Sequence, residues 1–130
     1  MANINLLNTT SVYKKIFEGN INIPPQINPP IFESLFTNPI NSGKVFVIKR
    51  VTFEAKSGYN PAVFIYFNGI KIFGQGAIGD FYQLDAIQTN ASNQIYLLEE
   101  DFLKITFELQ STISIESGTL NYTIFYDEIS

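Results

Sequence analysis

The sequence predicts an all-β protein, an antiparallel β-sandwich or jelly roll of about eight strands. Short runs of alternating apolar and polar residues recur along the chain between turn residues, and no run of ten residues has a helical pattern. Twelve phenylalanines and seven tyrosines favour strands further. The 130 residues correspond to one domain, 1–130, which should bury roughly two-thirds of the surface of the unfolded chain.

Composition excludes several kinds of function. The net charge of −4 argues against a general nucleic-acid-binding surface. The chain has no cysteine. It also has no histidine, which is the commonest metal ligand and the commonest acid–base group. The first residues lack the basic and apolar regions of a secretory signal, and no apolar run is long enough to cross a bilayer. We therefore expect no catalytic set, cofactor, metal site or membrane insertion.

The stretch from Lys44 to Phe73 organises the prediction. It contains a long strand, Val45–Glu54, and two shorter strands, Ala62–Phe67 and Ile70–Phe73, that flank Asn68-Gly69. Asn-Gly between apolar runs indicates a type I′ hairpin turn. The register then pairs Phe67 with Ile70, Tyr66 with Lys71, Ile65 with Ile72, and Phe64 with Phe73. The expected core face carries Ile65, Phe67, Ile70 and Ile72.

The long strand has one irregularity, at Lys49. Val45, Val47, Val51 and Phe53 share one parity, and Lys49 interrupts them. Either Lys49 lies at the sheet edge, or a bulge near Lys49-Arg50 shifts the alternation.

The remaining strands follow from period-two patterns. Candidates are Ser11–Phe17, Phe81–Leu84, Gln94–Leu98, Leu103–Leu109 with Ile113 and Ile115 continuing, and the run from Leu120 to Tyr126. The clearest is Leu103–Leu109, in which Leu103, Ile105, Phe107 and Leu109 should point inward.

The segment Glu18–Ser42 has a different composition. It holds five of the six prolines, so we expect extended backbone rather than a helix or a central strand, with at most one helical turn at Ile31–Phe36. Its apolar residues should lie along a surface of the chain's own sandwich or of a neighbouring subunit, and we favour an assembly arm that docks on a neighbour. The arm residues are Ile21, Ile23, Ile27, Ile31, Phe32, Leu35 and Phe36.

Two stretches resemble binding motifs only superficially. Gly74, Gly76 and Gly79 fit a GxGxxG spacing, but the strand Phe81–Leu84 follows where a nucleotide fingerprint needs a helix. We interpret this stretch as an inter-strand loop. Three adjacent acids, Glu99-Glu100-Asp101, are expected to form a solvated turn rather than a cation site, because adjacent side chains diverge.

The chain has more aromatic residues than one core layer can hold, so we expect some of them to form an exposed aromatic surface. Three interpretations remain open: both faces of the sandwich are covered, the rings form a subunit interface, or they form a sugar-stacking surface. The residues proposed for this surface are Tyr59, Phe64, Tyr66 and Phe73.

Four stretches carry a family resemblance: TTSVY at Thr9–Tyr13, Ser42–Gly58, Ala62–Ile72, and FYDEIS at Phe125–Ser130. Together they resemble small phage virion proteins, which are capsid- or tail-associated β-sandwiches. The insertion Glu18–Asn41 departs from that pattern, since a short turn would be expected there.

The resemblance implies a non-enzymatic structural protein of a capsid, decoration, spike or tail. It would form homo-oligomers and contact other virion proteins on a particle assembled in the host cytoplasm, without a signal peptide. The alternative is a carbohydrate-binding or receptor-binding module that engages host surface glycans.

Overall fold

The structure is a computed structural model that describes residues 12–23, 31–85, 88–90, 93–109 and 117–130. Within these ranges the chain forms eleven strands and no helix. The strands are β1 Val12–Ile23, β2 Ile31–Thr37, β3 Val45–Ala55, β4 Ala62–Phe67, β5 Ile70–Gln75, β6 Phe81–Asp85, β7 Gln88–Asn90, β8 Asn93–Gln94, β9 Tyr96–Leu97, β10 Phe102–Glu108 and β11 Gly118–Ile129.

Two antiparallel sheets form the sandwich. The five-stranded sheet has the order β1-β11-β3-β6, with β9 also paired to β3, and the four-stranded sheet has the order β2-β10-β4-β5. The short strands β7 and β8 pair only with each other among the described strands. The predicted class, an antiparallel β-sandwich, is confirmed, whereas the jelly-roll connectivity stays a prediction.

The core lies between the two sheets. Phe53 of β3 meets Phe107 of β10 edge-on across the sandwich, with the ring centroids 5.9 Å apart. The inward face predicted for β10 is confirmed, because Leu103, Ile105 and Phe107 are fully buried. Thr106 is buried as well, on the opposite face of the same strand, which the alternation did not predict.

The β4–β5 hairpin has the predicted turn. Asn68 has φ 49° and Gly69 has φ 89°, and a type I′ turn needs positive φ at both central residues. The two predicted pairs nearest the turn are confirmed, Phe67 with Ile70 and Tyr66 with Lys71.

Beyond these pairs the predicted register is wrong, because the pairing shifts by one residue between Ile65 and Tyr66. Ile65 faces Phe73 and Phe64 faces Gly74. A bulge of this kind breaks strict alternation, and both Ile72 and Phe73 consequently pack against the core. Ile70 was expected in the core and is instead 70% exposed at the hairpin tip.

A bulge also explains the irregularity of β3. Phe125 of β11 pairs with Arg50 and Tyr126 pairs with Ile48, so Lys49 is the extra residue. Of the two alternatives for Lys49, the bulge is confirmed. Ile48 and Val51 are both fully buried, while Lys49 and Arg50 between them are exposed.

The proline-rich segment is built into this chain's own sandwich where the structure describes it. Glu18–Ile23 continues β1, and Ile31–Thr37 forms β2. The helical turn expected at Ile31–Phe36 is therefore a strand, which can donate to the ladder because no proline interrupts it. Both strands lie at sheet edges, and residues 24–30, with Ile27, fall outside the described ranges.

The seven residues assigned to an assembly arm have different environments. Ile23 and Phe36 are 2% and 5% exposed in this chain's own core, so they offer no surface to a partner, and this corrects the interpretation. Ile21 and Phe32 are half-buried against the same core. Ile31 and Leu35 are each 57% exposed on the outer side of β2.

Candidate functional site

The predicted aromatic surface is not an exposed cluster. Tyr59 is only 5% exposed and belongs to the core, which corrects its assignment to the surface. Phe73 packs against the core and stacks on Tyr82 with ring centroids 6.0 Å apart. Neither ring offers a free face for a ligand.

Phe64 and Tyr66 lie half-buried outside that core cluster, each beneath a lysine. The Lys71 ammonium is 5.2 Å from the Phe64 ring centroid, and the Lys104 ammonium is 4.5 Å from that of Tyr66. Lys104 is also 3.3 Å from a carboxylate oxygen of Glu33. The lysines occupy the ring faces on which a sugar would stack.

The glycine-rich stretch is an inter-strand loop over residues 76–80, as interpreted from the sequence, whereas Gly74 belongs to β5 and pairs with Phe64. The Ile78 amide donates to the Pro61 carbonyl at 2.9 Å, and the Gly79 amide donates to the Asn60 side chain at 2.6 Å. The strand β6 follows directly, so no helix N-terminus faces the glycines.

The acidic turn has two carboxylates that hold local structure. Glu99 accepts hydrogen bonds from the amides of Asn41 and Gly43, at 3.2 and 2.7 Å. Asp101 accepts from the Leu98 amide at 2.9 Å. Glu100 is exposed and has φ 74°. No group of three or more acids in the described ranges is arranged to hold a metal ion.

A groove of about 420 Å³ lies on the outer face of the five-stranded sheet. The bulge in β3 builds it, because the extra residue places Lys49 and Arg50 on the same exposed side. The neighbouring strands supply the floor, where Ile16 of β1 pairs with Phe125 of β11. The lining consists of Lys14, Lys15, Ile16, Lys49, Phe125, Tyr126 and Asp127.

Two contacts hold Arg50 at the side of the groove that faces β6. The Arg50 guanidinium lies 5.7 Å from the Phe125 ring centroid. Its Nε is 2.5 Å from a carboxylate oxygen of Asp85 on β6. Hydrogen bonds from Arg50 and Gln83 lower the pKa of Asp85 below its ordinary value. Arg50 is therefore held over the aromatic floor.

The groove is cationic in an acidic protein. Half of the chain's eight basic residues surround it, namely Lys14, Lys15, Lys49 and Arg50. The Lys15 ammonium is 3.9 Å from a carboxylate oxygen of Glu128. Lys14 and Lys49 form no ion pair with any described residue. The floor is apolar, since Ile16 is 62% exposed beside Phe125. This combination suits a ligand with both a carboxylate and apolar groups.

Sequence reasoning missed the groove. Two basic pairs, Lys14-Lys15 and Lys49-Arg50, are present in the sequence, and the pattern at Lys49 indicates a sheet edge or a bulge but not a groove. Only the strand order brings them together, because β11 lies between β1 and β3.

Comparisons with known proteins provide no family. No protein-family model and no curated protein matches the chain. A solved structure titled as dimeric latent PorU from Porphyromonas gingivalis aligns with a TM-score of 0.29 and 11% identity, over 92% of this chain and 14% of that chain. At this TM-score the similarity says nothing about fold or function. No helix in the described ranges is long and apolar enough to span a membrane.

Proposed function

We propose that this protein is a non-enzymatic structural component of a phage particle, associated with the capsid or the tail. It acts by assembling with copies of itself and with other virion proteins. The resemblance of Ser42–Gly58 and Ala62–Ile72 to phage virion β-sandwiches supports the setting. The edge strand β2, whose outer edge pairs with no strand of the described ranges, supports the assembly.

The observation that carries the proposal is the edge strand β2. Within the described ranges, no strand pairs with the outer edge of β2. Ile31 and Leu35, each 57% exposed, stand beside that edge. An unpaired strand with exposed aliphatic side chains is suited to adding a strand from another chain, because the backbone provides hydrogen bonds and the side chains provide apolar area.

The position of β2 in the fold supports the same role. The other sheet also ends on this side, at β1, since the ring centroids of Phe17 on β1 and Phe36 on β2 lie 4.9 Å apart. Monomeric proteins usually protect such edges with charges or prolines. Here the charge of Glu33, between Ile31 and Leu35, is paired with Lys104. The described part of β2 therefore carries no unpaired charge that would oppose strand addition.

Light scattering at several protein concentrations tests the proposal. We expect the wild type to be oligomeric, and Leu35→Lys to have a lower mean mass at each concentration with an unchanged melting temperature, because the side chain is exposed. Ile70→Lys is the matched control, since Ile70 is 70% exposed at the hairpin tip of β5. It should assemble as the wild type does.

A wild type that is monomeric at every concentration, or a Leu35→Lys variant with unchanged assembly, contradicts the proposal. Specific binding of the Leu35→Lys variant to a glycan array would favour the carbohydrate-binding alternative instead.

A further inference from the structure

The basic groove has a complement on the same chain, at the acidic turn. Glu100 is exposed at the tip of this turn, and its carboxylate forms no hydrogen bond or ion pair with any described residue. Leu98 is 44% exposed and Ile40 is 63% exposed beside it. The turn therefore presents one unpaired carboxylate in the neighbourhood of two exposed aliphatic side chains.

The turn is also held firmly in place. The Glu100 amide donates to the Asn38 carbonyl at 2.7 Å, and the Asp101 amide donates to the Leu98 carbonyl at 3.0 Å. The Asn41 amide donates to Glu99 at 3.2 Å, so the loop that carries Ile40 is held to the turn. A rigid surface loses little conformational entropy when it binds.

We propose that the acidic turn of one copy docks in the basic groove of a second copy. This inference rests on the proposed self-assembly and adds a second contact, distinct from the edge of β2. Glu100 would approach Lys14 and Lys49, and the aliphatic side chains of Leu98 and Ile40 would lie on the floor formed by Ile16 and Phe125.

Charge favours a second copy over a dense polyanion as the occupant. Asp127 contributes a carboxylate to the groove lining and would repel a ligand with many negative charges. Within the turn only the Glu100 carboxylate has no hydrogen bond to a described residue, because Glu99 and Asp101, which remain charged, accept hydrogen bonds from this chain's own amides. The turn and the loop held to it also carry exposed aliphatic side chains, Leu98 and Ile40, that can cover the apolar floor of the groove.

The contact joins two different surfaces, so it is directional. A head-to-tail contact of this kind closes into a ring or continues as an open array, depending on the rotation between copies. Combined with strand addition at β2, it would give each subunit more than one neighbour, as a particle coat requires.

Charge reversal on each side tests the contact. Lys49→Glu and Glu100→Lys should each raise the dissociation constant of self-association about fivefold or more, because each places like charges together. An equimolar mixture of the two variants should recover association, since each supplies the intact surface that the other lacks. The wild-type association should weaken with added salt.

Two controls separate docking from folding and from net charge. Glu100→Gly removes the carboxylate at φ 74°, which glycine adopts readily, so it should lower association without lowering the melting temperature. Lys71→Glu makes the same charge change as Lys49→Glu on β5, away from the groove, and should associate as the wild type does.

The outcomes distinguish this inference from the proposed function. If Leu35→Lys dissociates the protein while Lys49→Glu, Glu100→Lys and their mixture behave as the wild type, the turn-to-groove contact is wrong and self-assembly stands. If the single variants lose association and the mixture does not recover it, the two surfaces do not meet. A monomeric wild type overturns both.

Discussion

Gly19 and Tyr122 show how single residues tie the edges of the two sheets. The residues are paired across β1 and β11, and a Cβ at Gly19 would lie 2.2 Å from the Tyr122 ring. Glycine therefore makes room for the ring. The Tyr122 hydroxyl reaches Ser34 of β2, in the other sheet, at 2.6 Å. One aromatic side chain thus links the edge strand of the four-stranded sheet to the five-stranded sheet.

This arrangement has a consequence at alkaline pH. Burial raises the pKa of Tyr122 above 10.0, against the smaller opposite effect of the hydrogen bond with Ser34. The folded state keeps the proton where the unfolded chain has lost it. The resulting stability is complete below pH 10.0 and is lost as the pH rises through the raised pKa.

We expect Tyr122→Phe to make the unfolding free energy fall less steeply above pH 10.0 than in the wild type. At neutral pH the variant should lose about 1 kcal/mol, because Ser34 loses its partner. The unfolding free energy of the variant should still decrease with rising pH, since burial and the charge of Glu128 also raise the pKa of Tyr126. Denaturant titrations across this pH range measure the effect, and equal slopes in both proteins would contradict it.

At the scale of elements, the β4–β5 hairpin depends on its turn. Gly69 has φ 89°, where an L side chain is strained. Gly76 lacks positive φ, and a Cβ there would meet no atom within 4 Å. We expect Gly69→Ala to cost about 1–2 kcal/mol of unfolding free energy. Gly76→Ala, the matched control, should be neutral or slightly stabilising. Equal denaturation midpoints for the two variants would be inconsistent with the turn.

The strands and the turn were predictable from local signals, but the bulges were only partly so. In β3, the two consecutive charges Lys49 and Arg50 lie between two apolar runs. Strict alternation would point one of these charges into the core, so the pattern indicated a shift in the alternation. In β5, Ile72 and Phe73 are both apolar, so the pattern accepts either register. The shift was invisible there, and the predicted partners of Ile65 and Phe64 were wrong.

The strand β2 shows how tertiary pairing overrides composition. The five prolines of Glu18–Ser42 predicted extended backbone rather than a helix or a central strand. Yet Ile31–Thr37 itself contains no proline and pairs along its length with β10. The prolines delimit the strand rather than prevent it. Because the proline content was considered over the whole segment, the proline-free stretch Ile31–Thr37 was not recognised as a strand.

At the scale of the whole molecule, the candidate site could not be predicted because it depends on strand order. Period-two patterns show which residues share a face, but not which strands are neighbours. Lys14 and Lys49 line one groove only because β11 separates β1 from β3. The same limit explains Tyr59, whose burial depends on the strands that cover it.

The two sheets are joined at one end by Asn38, a fully buried polar residue that follows β2. Its amide nitrogen donates to the carbonyls of Lys44 and Leu97, both at 2.8 Å, and its side-chain oxygen accepts from Ser42 at 2.6 Å. Its backbone donates to the Asp101 carbonyl at 2.9 Å. The residue therefore connects the end of β2 with β9, the segment entering β3 and the acidic turn.

Asn38→Leu should be strongly destabilising although leucine has a similar volume. The carbonyls of Lys44 and Leu97 would lose their donor in a buried site, and each such loss costs about 1–3 kcal/mol. We therefore expect at least about 2 kcal/mol in denaturant unfolding, with faster hydrogen exchange at the Glu100 amide. Asn22→Leu, at an exposed position of β1, should change stability by about 0.5 kcal/mol or less. If both variants unfold at the wild-type midpoint, the hydrogen bonds of Asn38 do not hold the two sheets together.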